Sequence, residues 1–183
     1  MPGAGLAHIT TLAQEQIRSL TPHYAVVIWG GSNDINKNEA ARGLKHLQNF
    51  IHHTSNTNIL TLAAPHRHDL QQTSCINKGI QVHNRKLHKI FKIRDSVSVI
   101  DIHLHRDNFT LHGLHLNTVV KEKMAEIIAR SINQLRAKKG YPIPTDEEGT
   151  PKDVQPELYE TTTCAVTNKD LASVTIPDGS LQP

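Results

Sequence analysis

The chain has 183 residues, of which 37% are apolar, and it carries a formal charge of +3 at pH 7. No apolar run approaches the roughly 20 residues of a membrane-spanning helix, and no signal-peptide core opens the sequence, so we predict a cytoplasmic protein without membrane contact. Cys75 and Cys164 show neither metal-site spacing nor a disulfide framework, which favours a reducing compartment. Dispersed basic residues with few aromatics favour a solvated basic face over a nucleic-acid surface.

The first predicted elements are a helix and a buried strand. Apolar residues recur at helical spacing from Leu6 to Leu20, and Thr21-Pro22 ends this helix. The stretch Tyr24 to Ile35, YAVVIWGGSNDI, opens with a continuous apolar run, which is typical of a strand covered on both faces. The strand ends at Gly30-Gly31, where a side chain would block a tight turn.

The remaining pattern alternates between helices and strands. It predicts a helix over 39–53, a strand over 59–64, a helix over 76–91, a strand over 97–102, and a last helix with Val120 to Leu135 inward and Asn117 as N-cap. This order predicts right-handed crossovers and a parallel sheet with helices on both faces. Periodicity stops near Lys138, so we predict one domain over 1–138 and a disordered tail over 139–183, with Cys164 to Val166 or Ala172 to Ile176 as alternative short strands.

The polar residues that follow the strands are the candidate site. Ser32, Asn33 and Asp34 come directly after the first strand, and the loop 65–73, PHRHDLQQT, follows the second strand. In open α/β sheets, ligands bind beyond the carboxyl ends of the strands, so we expect the chemistry to lie around Asn33. Asn77 and Asn84 lie two turns apart on one helix face and are expected to bond neighbouring loops.

Two motifs carry a family resemblance. GGSNDI after a buried strand and GLHLN at 113–117 resemble the SGNH (GDSL-type) hydrolases, and most closely SGNH-like domains of animal, especially insect, genomes that share a PHRxDL-like loop, here 65–70. The resemblance runs from Gly3 to about Leu135. It implies a flavodoxin-like three-layer α/β/α sandwich with a parallel sheet, incomplete at its N-terminus. The implied ancestral reaction is carboxylic ester hydrolysis, with a small-molecule ester as substrate and neither cofactor nor metal.

The resemblance also implies residue roles. Asn33 matches the side-chain donor to the oxyanion, Gly3 matches a backbone donor to the same oxyanion, and His115 matches the general base. Acyl transfer needs such donors because negative charge develops on the carbonyl oxygen.

Three further residues are predicted to contact substrate: Ser32, Asp34 and Arg67. For Arg67 two interpretations stand equal. The guanidinium would bind a substrate carboxylate or phosphate, or it would pair with Asp69 and shape the loop.

Two departures from the family pattern predict a pseudoenzyme. The family's nucleophilic serine lies in a GDS-like turn ahead of the glycine motif, and this sequence has no such turn, since Ser32 belongs to the Asn33 motif. His112 stands where the family has the aspartate that orients the base, which leaves Asp107 or a backbone carbonyl for that role. The missing strands would also expose an edge of the first strand to a protein partner.

Two other function classes stay open. One is a non-catalytic binding module, such as a domesticated mobile-element remnant. The other is a metal-dependent hydrolase, suggested by the thirteen histidines and by three close pairs in the loops after the strands: His66 with His68, His103 with His105, and His112 with His115.

Overall fold

The computed structural model describes residues 3–21, 23–92 and 95–140. Its helices and strands, in chain order, are α1 (Leu6–Gln16), β1 (Ala25–Trp29), α2 (Ser32–Asn36), α3 (Ala40–His53), β2 (Asn58–Leu62), α4 (Cys75–Phe91), β3 (Val97–Ile100) and α5 (Thr118–Lys138). Short 3₁₀ helices lie at Ile17–Ser19 and Arg106–Asn108. The alternation predicted from the sequence is confirmed, and α2 is an added helical turn. The tail predicted from residue 139 lies outside the described residues beyond Gly140.

The three strands form one parallel sheet in the order β1-β2-β3. Val27 is level with Leu60, and Leu60 is level with Ser98. Every residue of β2 is buried, as expected for a central strand covered on both faces. Within the described residues β1 is an edge strand, so its backbone has a sheet neighbour on one side.

Each face of the sheet has its own apolar core. Val26 and Ile28 point to a core shared with α1, α3 and α4, whereas Val27 points to a core shared with α5. The connecting helices α3 and α4 pack on the same face, as expected for two crossovers of one hand that advance in the same direction. The α/β class with a parallel sheet is therefore confirmed, and the carboxyl ends of all three strands lie at one edge.

The two longest helices begin at side-chain caps. Ser74 accepts a hydrogen bond from the Asn77 backbone N–H at the start of α4, and Asn117 accepts from the Val120 N–H, 3.0 Å away, at the start of α5. The second cap is the one predicted. Among the described residues, no helix combines the length and the apolar character that crossing a membrane requires.

Candidate functional site

The turn after β1 is bonded to the segment that precedes α1. The Asn33 side chain donates from Nδ2 to the Ala4 carbonyl over 2.9 Å, and Lys37 Nζ lies 3.5 Å from the Gly3 carbonyl. Gly3 has a φ of 78°, which glycine adopts without strain. Gly3 and Asn33 are therefore close in space, although a helix and a strand separate them in sequence. One Asn33 amide hydrogen is used by Ala4, and the amide has a second hydrogen to donate.

Asp34 lies beneath this turn as a buried carboxylate, 4% exposed. Both of its oxygens accept from the Leu6 backbone N–H, at 2.9 and 3.2 Å. Burial raises the pKa of Asp34, and the Leu6 hydrogen bond opposes this shift. A Cβ on Gly43 would lie 2.6 Å from Oδ1, so glycine leaves room for the carboxylate there. Asp34 thus caps α1 and holds the Gly3 segment against Asn33; its contact with substrate stays a prediction.

A pocket of about 160 Å³ opens beside Asp34, between the starts of α1 and α3. Charged side chains of both signs line it: His8, Asp34, Lys37, Glu39 and Arg42. None of the three residues with predicted catalytic roles, Gly3, Asn33 and His115, lines this pocket.

Two asparagines of α4 hold the chain after β2. Asn77 is fully buried, accepts from the Arg67 N–H at 2.8 Å, and donates to the carbonyls of Arg67 and Gln71 at 3.0 and 2.9 Å. Asn84 exchanges two hydrogen bonds with the Ala64 backbone, each 2.9 Å long. The prediction that these residues bond neighbouring loops is confirmed.

Replacing Asn77 with alanine is expected to lower the free energy of unfolding by about 2 kcal/mol, because three loop backbone groups lose their partner in a buried place. Chemical denaturation followed by circular dichroism measures this change. Gln72→Ala is the matched control, since Gln72 is an exposed residue of the same loop. Equal stability of the two variants would contradict a stabilising role for the three hydrogen bonds between Asn77 and the loop.

Arg67 is paired within its own loop. Its Nε and Nη2 lie 2.6 and 2.5 Å from the two carboxylate oxygens of Asp69, a bidentate geometry. The Arg67 hydrogen bonds lower the pKa of Asp69, and Asp69 in turn raises the pKa of Arg67. The local ion pair, one of the two interpretations from sequence, is thus present, and substrate binding by Arg67 stays a prediction.

The segment that carries His115 packs on this loop through a glycine. Gly113 is buried with a φ of 71°, and a Cβ there would lie 2.7 Å from the His68 carbonyl carbon and 2.8 Å from the Asp69 nitrogen. The Thr110 N–H donates to the His115 carbonyl over 2.7 Å and closes the segment on itself. The GLHLN and PHRHDL motifs, far apart in sequence, are therefore in backbone contact.

The carboxylate of Asp69 has a weak electrostatic interaction with His115. The Arg67 hydrogen bond is the main cause that lowers the pKa of Asp69, burial opposes it, and the interaction with His115 is the smallest of the lowering causes. Asp107, one of the two alternatives for orienting His115, is exposed, and its backbone carbonyl accepts from Asn117 Nδ2 at 2.8 Å. His112 is exposed as well. Gly113 thus brings the segment of His115 against the loop that carries Asp69, a proximity that the spacing of residues along the sequence did not predict.

Asn33 and His115 share one edge of the sheet but leave different strands. Asn33 follows β1, and His115 lies in the segment after β3, packed on the loop after β2. Since β2 lies between β1 and β3, the outer strands are about 10 Å apart. The Asn33 amide therefore lies on one side of the carboxyl end of β2, and the His115 imidazole lies on the other. Ser32 begins α2 and is half-buried.

Sequence reasoning missed His83. This histidine is 2% exposed on α4, and a Cβ on Gly31, whose φ is 109°, would lie 2.7 Å from its Nε2. Its Nδ1 has no hydrogen-bond partner among the described residues. Burial lowers the pKa of His83 to about 4, with a smaller contribution from Lys86. Its position in the helix could have identified it, because helical spacing places residue 83 on the buried face of α4 with Ile80 and Leu87.

A row of rings lies beside the His115 segment. The rings of His66 and His68 are 5.0 Å apart, and those of His68 and Phe109 are 4.9 Å apart. Burial, and then His68, lowers the pKa of His66. In the described residues, which include all thirteen histidines, no group of three or more His, Cys, Asp or Glu is arranged to hold a metal ion. The metal-dependent alternative therefore has no ligand set there.

Comparisons with protein-family models, with curated proteins and with solved structures gave no match for this chain.

Proposed function

We propose that this chain is an SGNH-type hydrolase-like domain, built as a flavodoxin-like sandwich, that binds a carboxylic ester or its acyl product without turning it over. The observation that carries the proposal is the Asn33–Ala4 hydrogen bond, 2.9 Å long. It brings together the two segments that the family resemblance assigns to the oxyanion donors. The buried Asp34 carboxylate strengthens the junction from below.

The chemistry of the junction suits a carbonyl group that becomes negative. The second Asn33 amide hydrogen and the backbone of the Gly3 segment are donors held by fixed hydrogen bonds, and donors organised in advance stabilise an oxyanion without reorganisation. His115 lies on the opposite side of the carboxyl end of β2. The loop on that side contains the bidentate ion pair of Arg67 with Asp69.

Two features oppose turnover by this polypeptide. No motif in the sequence matches the family's nucleophile turn, and the exposed His112 replaces the acid that orients the base. Without a nucleophile, a base has no hydroxyl to activate, and the remaining donors give only a small fraction of the full rate enhancement.

The first test is hydrolysis of a short-chain nitrophenyl ester by the purified chain and by His115→Ala. We expect the two rates to be equal, because any residual hydrolysis would not pass through His115. Turnover in the parent chain that is lost in His115→Ala would contradict the proposed lack of activity.

The second test concerns binding. A short alkyl phosphonate mimics the charged tetrahedral carbon and has no leaving group, and calorimetry measures its affinity. Asn33→Ala is expected to weaken binding at least tenfold, since a hydrogen bond to a charged group contributes about 1.5–3 kcal/mol. Asn36→Ala, at the exposed far end of α2, is the matched control. Equal affinity of both variants would favour the non-catalytic binding module with another ligand.

A further inference from the structure

The outer edge of β1 presents a defined row of backbone groups. The Asn58 N–H donates to the Tyr24 carbonyl, so alternate residues Val26 and Ile28 also direct their backbone toward β2. The backbone groups of Ala25, Val27 and Trp29 consequently point away from the sheet. Within the described part of the chain, no hydrogen bond satisfies these three residues on that side.

This edge lacks the features that prevent edge-to-edge pairing. Proteins protect exposed edge strands with charged residues, proline or bulges. The strand sequence AVVIW contains neither a charged residue nor proline, and its pairing with β2 runs in unbroken register from Ala25 to Trp29. The edge is therefore a regular template for another strand.

The outward residues are complementary to a second copy of themselves. In an antiparallel pair centred on Val27, each Val27 lies opposite the other Val27, and each Ala25 lies opposite a Trp29. A small residue then faces the largest one, on the sheet face that carries the α5 core. Both Ala25 and Trp29 are half-buried and have surface left to cover. All three positions would be hydrogen-bonded pairs, in which both N–H···O bonds are exchanged.

From this complementarity we infer that two copies of the chain associate through β1, antiparallel about a two-fold axis at Val27, to form a continuous six-stranded sheet. The strand is self-complementary in size, carries no charge that would repel its copy, and closes as a two-fold pair that leaves no further β1 edge. This inference is independent of the proposed function, because it uses the backbone edge of β1 and not the site at its carboxyl end.

The first experiment measures the mass of the full chain by sedimentation across a dilution series, for the parent chain, Ala25→Pro and Ala25→Ser. Proline at position 25 removes one outward N–H and leaves the bonds to β2 intact, whereas serine keeps that N–H. We expect dimers that dissociate on dilution for the parent chain and Ala25→Ser, and a folded monomer for Ala25→Pro by circular dichroism. A monomeric parent chain would overturn the inference, and this is the result expected if residues 141–183 cover the edge. A dimer that persists in Ala25→Pro would overturn it as well.

The second experiment tests the register and does not depend on proline. In a chain with Cys75→Ser and Cys164→Ser, Val27→Cys places two thiols on the two-fold axis, where paired Cα atoms about 5.5 Å apart suit a disulfide. Mild oxidation is expected to give a covalent dimer. Ala25→Cys is the matched control, since its two copies lie four residues apart along the strands, about 14 Å. A crosslink at both positions, at position 25 alone or at neither would overturn the register.

Discussion

Replacing Gly113 with alanine is expected to lower the free energy of unfolding by about 3 kcal/mol and to displace His115. About 1 kcal/mol comes from a φ of 71° that alanine tolerates poorly, and the rest from separating two packed backbones. The added Cβ would lie 2.7 Å from the His68 carbonyl carbon, and backbone has less freedom to yield than a flexible side chain.

Gly140→Ala is the matched control for this prediction. Gly140 has nearly the same φ, 70°, and a Cβ there meets no heavy atom within 4 Å. It should lose only the conformational part, about 1 kcal/mol. Denaturant unfolding gives both free energies, and hydrogen exchange at the Thr110 N–H, which donates to the His115 carbonyl, reports whether the segment has opened. Equal losses in the two variants would show that the loop contact contributes nothing.

The protonation of His83 is expected to lower the free energy of unfolding by about 2 kcal/mol between pH 7 and pH 5. Over the whole range in which this residue titrates, the loss is about 3 kcal/mol. The pKa of His83 is lowered from 6.5 to about 4 in the folded state. Between these values the unfolded chain binds a proton that the folded chain does not. The stability that the neutral His83 contributes is therefore fully present above pH 6.5 and falls as the pH drops toward 4. Below pH 4 it is lost and the stability no longer changes through this residue.

His83→Met separates this effect from the other titrating groups. Methionine fills an irregular buried space and does not titrate, so the variant should show a flatter loss of stability between pH 7 and pH 5. His52→Gln, which removes an exposed histidine of α3, should keep the parent slope. Unfolding free energies at several pH values measure all three chains. A parent slope that survives in His83→Met would rule out His83 as its source. The raised pKa of Asp34 acts in the opposite direction, but it is common to all three chains and cancels in the comparison.

Features that depend on neighbours in sequence were predictable. Asn117 caps α5 as expected, because a cap needs only a backbone N–H three positions on. The Arg67–Asp69 pair is also local, and sequence reasoning included it as one of two interpretations. His83 was missed although its helical register placed it inward, because a histidine reads as polar in a pattern of apolar residues.

Features that depend on distant segments were not predictable. The carboxylate of Asp34 accepts from the Leu6 N–H, a contact between two segments on either side of α1 and β1 that the sequence pattern did not indicate, whereas its predicted contact with substrate stays a prediction. The contact of Gly113 with the backbone of His68 and Asp69 likewise depends on how two loops pack, and the spacing of residues along one loop carries no such information.

The sequence by itself determined the α/β class, the parallel sheet and the buried character of β1 and β2, because hydrophobic period and turn residues act over a few positions. Only the tertiary structure decided that Gly113 rests on the His68 backbone, that Asn33 reaches back to Ala4, and that Ala25, Val27 and Trp29 direct their backbone to an open edge. These are contacts between elements distant along the chain, and their geometry follows from crossover direction and packing, which no local pattern encodes.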